Sequence, residues 1–370
     1  MGSSPRVWVG ALEAAAGTAV RVRQITATRA IGVMDGAIGL LGRTTLAFAI
    51  AGVMAWGALA LWFKLSERRL LTLIGVATWM LIAACAEVAV WTRFYVGGAA
   101  AFALIFAGVL VWWIRLRPSN DRVWNDDVAR MTTASVDRSI VSLSSLRDFT
   151  WRSRTDYDAR WVARSYDLER LRTLDMILSY WAGPAIAHTL VSFGFDVGDG
   201  SVEQVVFTVE IRRRRGQLFS EIGGFFKMYE LSIVAATERD ALRVRTNVRG
   251  EDDYLFRVRM QPAQMRSLFL AYVDAANRLV TTPRFYNTIT ANCTTIIYQM
   301  VARIVGRLPL SYRLLLSGYL PEYVHAIGGL DQRHTVSELR ACGRFTERAR
   351  AADQSPAFSA EIRRGIPELG

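Results

Sequence analysis

LLTLIGVATWMLIAACAEVAVW, residues Leu70–Trp91, carries a single charged side chain, Glu87. Such a run is long enough as a helix to cross ~30 Å of hydrocarbon, where every backbone polar group must be satisfied internally. Similar runs lie on both sides of it, at Thr45–Phe63 and Phe94–Ile114, divided by Lys64-Leu-Ser-Glu-Arg-Arg69 and by Thr92-Arg93. Tryptophans at 56, 62, 79, 91, 112 and 113 gather toward the run ends, where amphipathic rings favour the membrane interface. Three spans are therefore expected within residues 44–115, preceded by a peripheral, partly helical segment at 1–43. Glu87 stands near a helix end and reads as an interfacial acid. The first 43 residues lack the basic, apolar, small-residue order of a secretory leader.

The rest of the chain has a different character. The 370 residues are 52% hydrophobic and 21% charged, with a net charge of +12 that is almost wholly arginine. The arginines are interspersed with acids and accompany no nucleic-acid motif, so they fit a solvated or lipid-facing surface and no nucleic-acid partner is expected. Cys85, Cys293 and Cys342 form no disulfide framework, and three histidines show no metal-ligand spacing. No cofactor is expected.

Residues 116–306 read as one α+β domain, with a helical extension at 307–370. Ser139–Arg152 suggests one or two strands. Apolar residues at Leu168, Leu171, Leu174, Ile177 and Leu178 keep helical spacing, so Asp167–Trp181 is expected to be an amphipathic helix capped by Asp167. Strands are expected at Ala187–Phe195 and Val202–Ile211 around the turn Val197-Gly-Asp-Gly200, at Phe225–Ala236 and Leu242–Val248, and at Tyr254–Met260. That gives an antiparallel sheet of about five strands. Pro262 opens a helix ending before Pro283, and a polar loop, Arg284–Cys293, leads into another at Ile296–Ile304.

Cys293 stands where that loop meets the helix. Free N–H groups and the positive end of the helix dipole favour thiolate there, and the same groups with the Asn292 side chain could hold an oxyanion. Alone, a small buried cysteine is the commoner case. His188 heads the strand Ala187-His-Thr-Leu-Val-Ser-Phe193, and an imidazole on a strand beside a cysteine on a helix is the layout of papain-like thiol enzymes, here with histidine first. Glu210, on the following strand, is the first choice to orient the imidazole, with Glu203 and Glu230 in reserve. The run Arg212–Arg215 could hold a phosphate or simply form a charged hairpin end.

Pro118-Ser-Asn-Asp-Arg122, Ala187–Phe193, Val209-Glu-Ile-Arg212, Tyr229-Glu230, Arg239-Asp240, Arg245-Thr-Asn-Val-Arg249, Phe285-Tyr-Asn287 and Asn292-Cys-Thr-Thr295 together resemble the Lnb-type N-terminal periplasmic domain family, over roughly Arg117–Arg303. The resemblance implies a permuted papain-like (NlpC/P60-like) domain and a thiol acyltransferase or hydrolase. Characterised members complete bacterial lipoproteins by N-acylation. On this sequence Cys293 would attack a phospholipid acyl ester, His188 would move the proton, and a lipoprotein amine would accept the chain. Arg212, Tyr229, Tyr286 and Asn287 are the expected substrate-binding residues. The family also implies a periplasmic domain on the inner membrane, whereas a count of basic loop residues favours the cytoplasm; an inside N-terminus with three spans delivers the domain outside. The acyltransferases of this family carry their membrane region after the soluble domain, and here it comes first. A peptide or amide hydrolase and a non-enzymatic membrane scaffold are the alternative readings.

Overall fold

The computed structural model describes residues 6–65, 68–198 and 200–369, with side chains at Arg21, Met34 and almost throughout from Ala37. Ser66 and Glu67 of the expected basic loop, Asp199 of the expected hairpin turn and the first five residues of the N-terminal segment lie outside them. The chain divides into two compact units, Met1–Leu116 and Arg117–Gly370.

The first unit consists of α1 (Arg6–Lys64), α2 (Arg69–Val90) and α3 (Tyr95–Arg115). The segment before the first run is helical throughout its described part and continuous with it. Ala37–Lys64, Arg69–Val90 and Tyr95–Arg115 are long and apolar enough to cross a membrane. Apolar surface faces outward along them, as hydrocarbon solvent permits. Trp79 knits the three together, donating its indole N–H to the Met54 carbonyl at 2.8 Å and packing at a tilt on Phe102 with ring centroids 5.4 Å apart. Gly57 makes room for that indole, because a Cβ there would meet the ring at 2.4 Å.

The second unit is built on a twisted mixed sheet. Its strands are β1 (Thr133–Asp137), β2 (Ile140–Arg147), β3 (Thr150–Trp151), β4 (Tyr157–Asp158), β5 (Trp161–Asp167), β6 (Leu171–Tyr180), β7 (Ala187–Asp196), β8 (Val202–Arg212), β9 (Glu230–Thr237) and β10 (Asp252–Arg257). The main sheet runs β1-β2-β9-β8-β7-β6-β10, with β5 also on β2 and β3 paired with β4 apart. All pairings are antiparallel except the single parallel contact of β2 with β9.

Helices cover both faces. On one lie α5 (Pro262–Thr281) and α6 (Cys293–Val305), packing Phe269, Tyr272, Ile296 and Met300 onto Phe193, Phe207 and Ile233. α7 (Leu320–Ala326) lies on the same side, with Tyr323 near Met176 and Leu178, and α8 (Val336–Gly343) runs beside β10, while the other face carries α4 (Glu238–Arg243), α9 (Thr346–Ala351) and α10 (Phe358–Glu361) against Ile177, Leu190 and Val206. The unit is α+β.

Two expectations from spacing are corrected. Asp167–Trp181 is not a helix: Asp167 caps a single 3-10 turn, accepting from the Glu169 N–H at 3.0 Å, and Leu171–Tyr180 is a strand between β7 and β10. A strand covered on both faces is apolar nearly throughout, so its leucines and isoleucines fit a helical template as well as an extended one. Leu242–Val248 is not a strand either. Thr237 caps α4 and the chain then makes a π-helical turn, Val244–Arg249, which aims Arg245 into the interior.

The face beneath α4 and α10 is unusually ionic. Arg363 reaches Asp175 at 2.9 Å and Glu238 at 2.6 Å, while Arg147 reaches Asp240 at 2.8 Å. Asp175, Glu238 and Asp240 are essentially inaccessible, and buried charges persist only when paired and hydrogen-bonded.

The chain beyond α6 closes against the β6–β7 loop at Gly318, where an added Cβ would stand 2.0 Å from the Pro184 carbonyl oxygen. Backbone cannot retreat as a side chain can. Gly318→Ala is expected to destabilise the unit by ~1–3 kcal/mol, read as a lower thermal midpoint; an unchanged midpoint would mean that this contact is not tight in solution.

Candidate active site

The ladder between β7 and β8 ends at Leu190↔Thr208, although β8 continues along β9 as far as Arg212↔Glu230. Beyond Leu190 the two strands part, and the N-terminus of α6 enters the opening. Cys293 is the first residue of that helix. Its sulfur takes a hydrogen bond from the Thr189 N–H, which has no β8 partner, and another from the His188 side chain. The Thr294 hydroxyl lies 3.9 Å away. Cys293 retains 9% exposure and the His188 side chain 13%, so both are lodged in the core.

The far side of the imidazole is engaged as well. His188 Nε2 lies 2.6 Å from the Thr208 hydroxyl and 3.2 Å from Glu210 Oε1. The hydroxyl donates to the same carboxylate oxygen at 3.0 Å, so it accepts from the ring and Nε2 carries the hydrogen. Arg245, brought inward by the π turn, donates to Glu210 at 3.1 Å and to Glu251 at 3.2 Å. A buried row results: thiol, imidazole, carboxylate, guanidinium, carboxylate.

Its electrostatics follow from burial and alternating charge. Burial alone would lower the His188 pKa, but Glu210 and the sulfur outweigh both burial and Arg245 and hold it up at about 9. Burial alone would raise the Cys293 pKa, yet the imidazolium and the Thr189 N–H bring it below the usual thiol value. Glu210 is held well below the carboxylate range despite burial, by His188, Arg245 and Arg147. Both shifts favour the thiolate and imidazolium form of the pair over the neutral one.

The other expected residues have different employment. Asn292 caps α6: its carbonyl accepts from the Thr295 N–H at 2.7 Å and its amide donates to the Thr288 carbonyl at 2.6 Å, which places the sulfur and replaces the expected oxyanion role with a capping one. Arg212 is buried against the Trp124 ring at 4.4 Å and spends its donors on the Val128 and Ala129 carbonyls and the Asn120 side-chain oxygen, so it binds the domain itself instead of a phosphate. Tyr229 is fully buried and pins the loop after β8, accepting from the Ser220 N–H and donating to the Leu218 carbonyl. Asn287 closes the turn before Cys293 by accepting from the N–H groups of Ile289 and Thr290. Tyr286 does adjoin the site: after burial, the charges of Cys293 and Glu210 push its hydroxyl's pKa up. Glu203 pairs with Arg164, and Glu230 is buried at the start of β9.

Two residues were missed. Arg245 lay in the segment read as a strand, whose alternation hid the turn that aims it. Tyr272 on α5 is buried with its hydroxyl unpartnered, and its pKa is pushed well up by burial and then by Cys293. From sequence it is one more apolar position on an amphipathic helix.

Residues 157–318 match the model of the Lnb N-terminal periplasmic domain family. That is the family to which the motifs pointed. The match spans both members of the thiol and imidazole pair together with Glu210, Arg245 and Tyr272. Neither a curated protein nor a solved structure matches the chain. A periplasmic-domain family and three helices able to cross a membrane characterise a membrane protein with a periplasmic domain. Among the described residues no group of histidine, cysteine and carboxylate side chains could hold a metal ion.

Proposed function

We propose that this protein is a thiol acyltransferase of the bacterial inner membrane, moving a fatty acyl chain from a phospholipid to a lipoprotein amine through a thioester on Cys293 in a permuted papain-like domain. The observation that carries the reading is a cavity of about 290 Å³. Thr189 and Thr294, which contact the sulfur alongside His188, line one part of it, and Val191, Ile297, Val301 and Tyr323 continue it between α6 and the chain after Leu308. Its size is near the low end of small-molecule sites, ~300–1,000 Å³. An apolar tube beside a nucleophile suits an alkyl chain and offers a peptide few hydrogen bonds.

The chemistry uses groups already in place. The Cys293 thiolate attacks the acyl carbonyl carbon, and the tetrahedral oxyanion has the Thr189 N–H and the Tyr272 hydroxyl as nearby donors. Collapse breaks the ester C–O bond; His188 gives its proton to the departing alkoxide, and a lysophospholipid leaves. The amine of a diacylglyceryl-modified cysteine then attacks the thioester. His188, now neutral, takes the amine proton, the amide forms and thiolate is restored.

Intact-mass analysis of the full chain after incubation in phospholipid vesicles tests this: a fatty-acyl adduct on Cys293 is the expected result. An unmodified thiol that still cleaves peptide or amide substrates would replace this reading with that of a hydrolase. Ile297→Trp, which fills the tube next to the thiol, is expected to cut the preference for long over short acyl donors by about tenfold, the equivalent of roughly two buried methylenes. An unaltered chain-length profile would place the alkyl chain elsewhere.

A further inference from the structure

The site lies at one end of the sheet, where β7 begins and β8 finishes. The loop after β8 stands at that same end, and it exposes Leu218, Phe219 and Ile222 at 81%, 53% and 53%, with Phe225 beside them. This is a built surface. The buried Tyr229 hydroxyl fixes Leu218 and Ser220, and Gly224 lies so close to Thr288 that a Cβ would stand 2.3 Å from its hydroxyl oxygen. Thr288 in turn holds the cap of α6 through Asn292, and its neighbour Ile289 is exposed. Across the same end, the β6–β7 loop exposes Trp181, and the segment packed on that loop through Gly318 exposes Leu310 and Tyr312.

We infer that this end of the domain docks on a lipid bilayer, inserting the loop tip among the headgroups and holding the thiol at the membrane surface. Soluble surfaces seldom fix several large apolar side chains outward without a partner. Three features favour lipid as that partner. The chain carries helices able to span a membrane. It enters the domain at this end, since Val123 and Asn125, a few residues past α3, pair with Arg215 and Arg213 at the root of the loop. The loop is also basic, with Arg213–Arg215 and Lys227 against Glu221 alone; even with Asp126 and Asp127 paired to Arg215 and Arg213 the balance stays positive, which anionic headgroups attract.

The test uses the full chain with Cys85→Ala, Cys293→Ser and Cys342→Ala, bearing an environment-sensitive fluorophore at Ile222→Cys, in phosphatidylethanolamine and phosphatidylglycerol vesicles. Val136→Cys on β1, an exposed site, is the reference. The Ile222 label is expected to shift to the blue, to be quenched by a nitroxide carried just below the headgroups, and to be shielded from aqueous iodide by about twofold or more relative to the reference. Equal iodide access at the two sites would overturn the proposal. Shielding without nitroxide quenching, growing with protein density, would overturn it in favour of a second copy of the chain. The labelled chain lacks the nucleophile, so this outcome stands apart from that of the acyl-transfer reading.

Discussion

Cys293→Ala is expected to abolish the acyl adduct and reduce transfer from phospholipid to an amine acceptor by on the order of 10⁴-fold or more, the scale on which removal of a covalent nucleophile is felt. The loss follows from the absence of any substitute. Cys85 lies within α2 and Cys342 on α8, and among the described residues only Cys293 is hydrogen-bonded to an imidazole. The exchange deletes one atom from a helix start capped by Asn292, so the thermal midpoint should move little while activity disappears. In the unmodified chain a water-soluble alkylating reagent should label Cys293 faster than Cys342 near neutral pH, because thiolate is the reacting species. Transfer that survives Cys293→Ala, or equal labelling of the two cysteines, would end the covalent mechanism.

Glu210→Gln is expected to lower transfer by ~10²-fold and to change its pH dependence, the more diagnostic effect. Transfer in the unmodified chain should rise as pH passes the depressed thiol pKa and fall again near 9, where His188 loses its proton. Without the carboxylate, His188 loses its adjacent anion while Arg245, still paired with Glu251, stays beside it, and that charge disfavours imidazolium. The alkaline limb should therefore move to lower pH, and thiolate formation at Cys293 to higher pH, each unit costing about tenfold in the fraction of the pair that is ionised. Glu210→Asp, which keeps the charge, should restore part of the profile. A glutamine variant with reduced rate but unmoved limbs would mean that Glu210 only supports the packing.

Much of this was legible in the sequence, for identifiable reasons. The spans declare themselves because a membrane helix admits almost no charge over about twenty residues. Cys293 and His188 could be singled out because each sits at an element boundary, the sulfur after a capping asparagine and the imidazole after Gly183-Pro184. Glu210 could be placed because it is a carboxylate on the strand that follows the one bearing His188, across a short turn. Less accessible were features set by long-range packing. Leu171–Tyr180 has the composition of a helix and the environment of a central strand, and only the layers on both faces decide between them. Arg212 and Tyr229 look like ligands in a motif but serve Trp124 and the loop at Leu218. Arg245 depends on a π turn that no local pattern announces.

The contact of Arg363 with Asp175 joins positions 188 residues apart, with Glu238 sharing the same guanidinium. Until that arginine has been synthesised and moved to the domain's compartment, Asp175 on β6 has Arg257 alone as counter-charge and Glu238 at the start of α4 lacks its ion-pair partner. The nascent unit is thus predisposed to wait, its sheet incompletely closed, while the membrane helices that precede it are already inserted. Such late, distant pairings slow folding, and this one waits on a residue that follows every strand of the sheet.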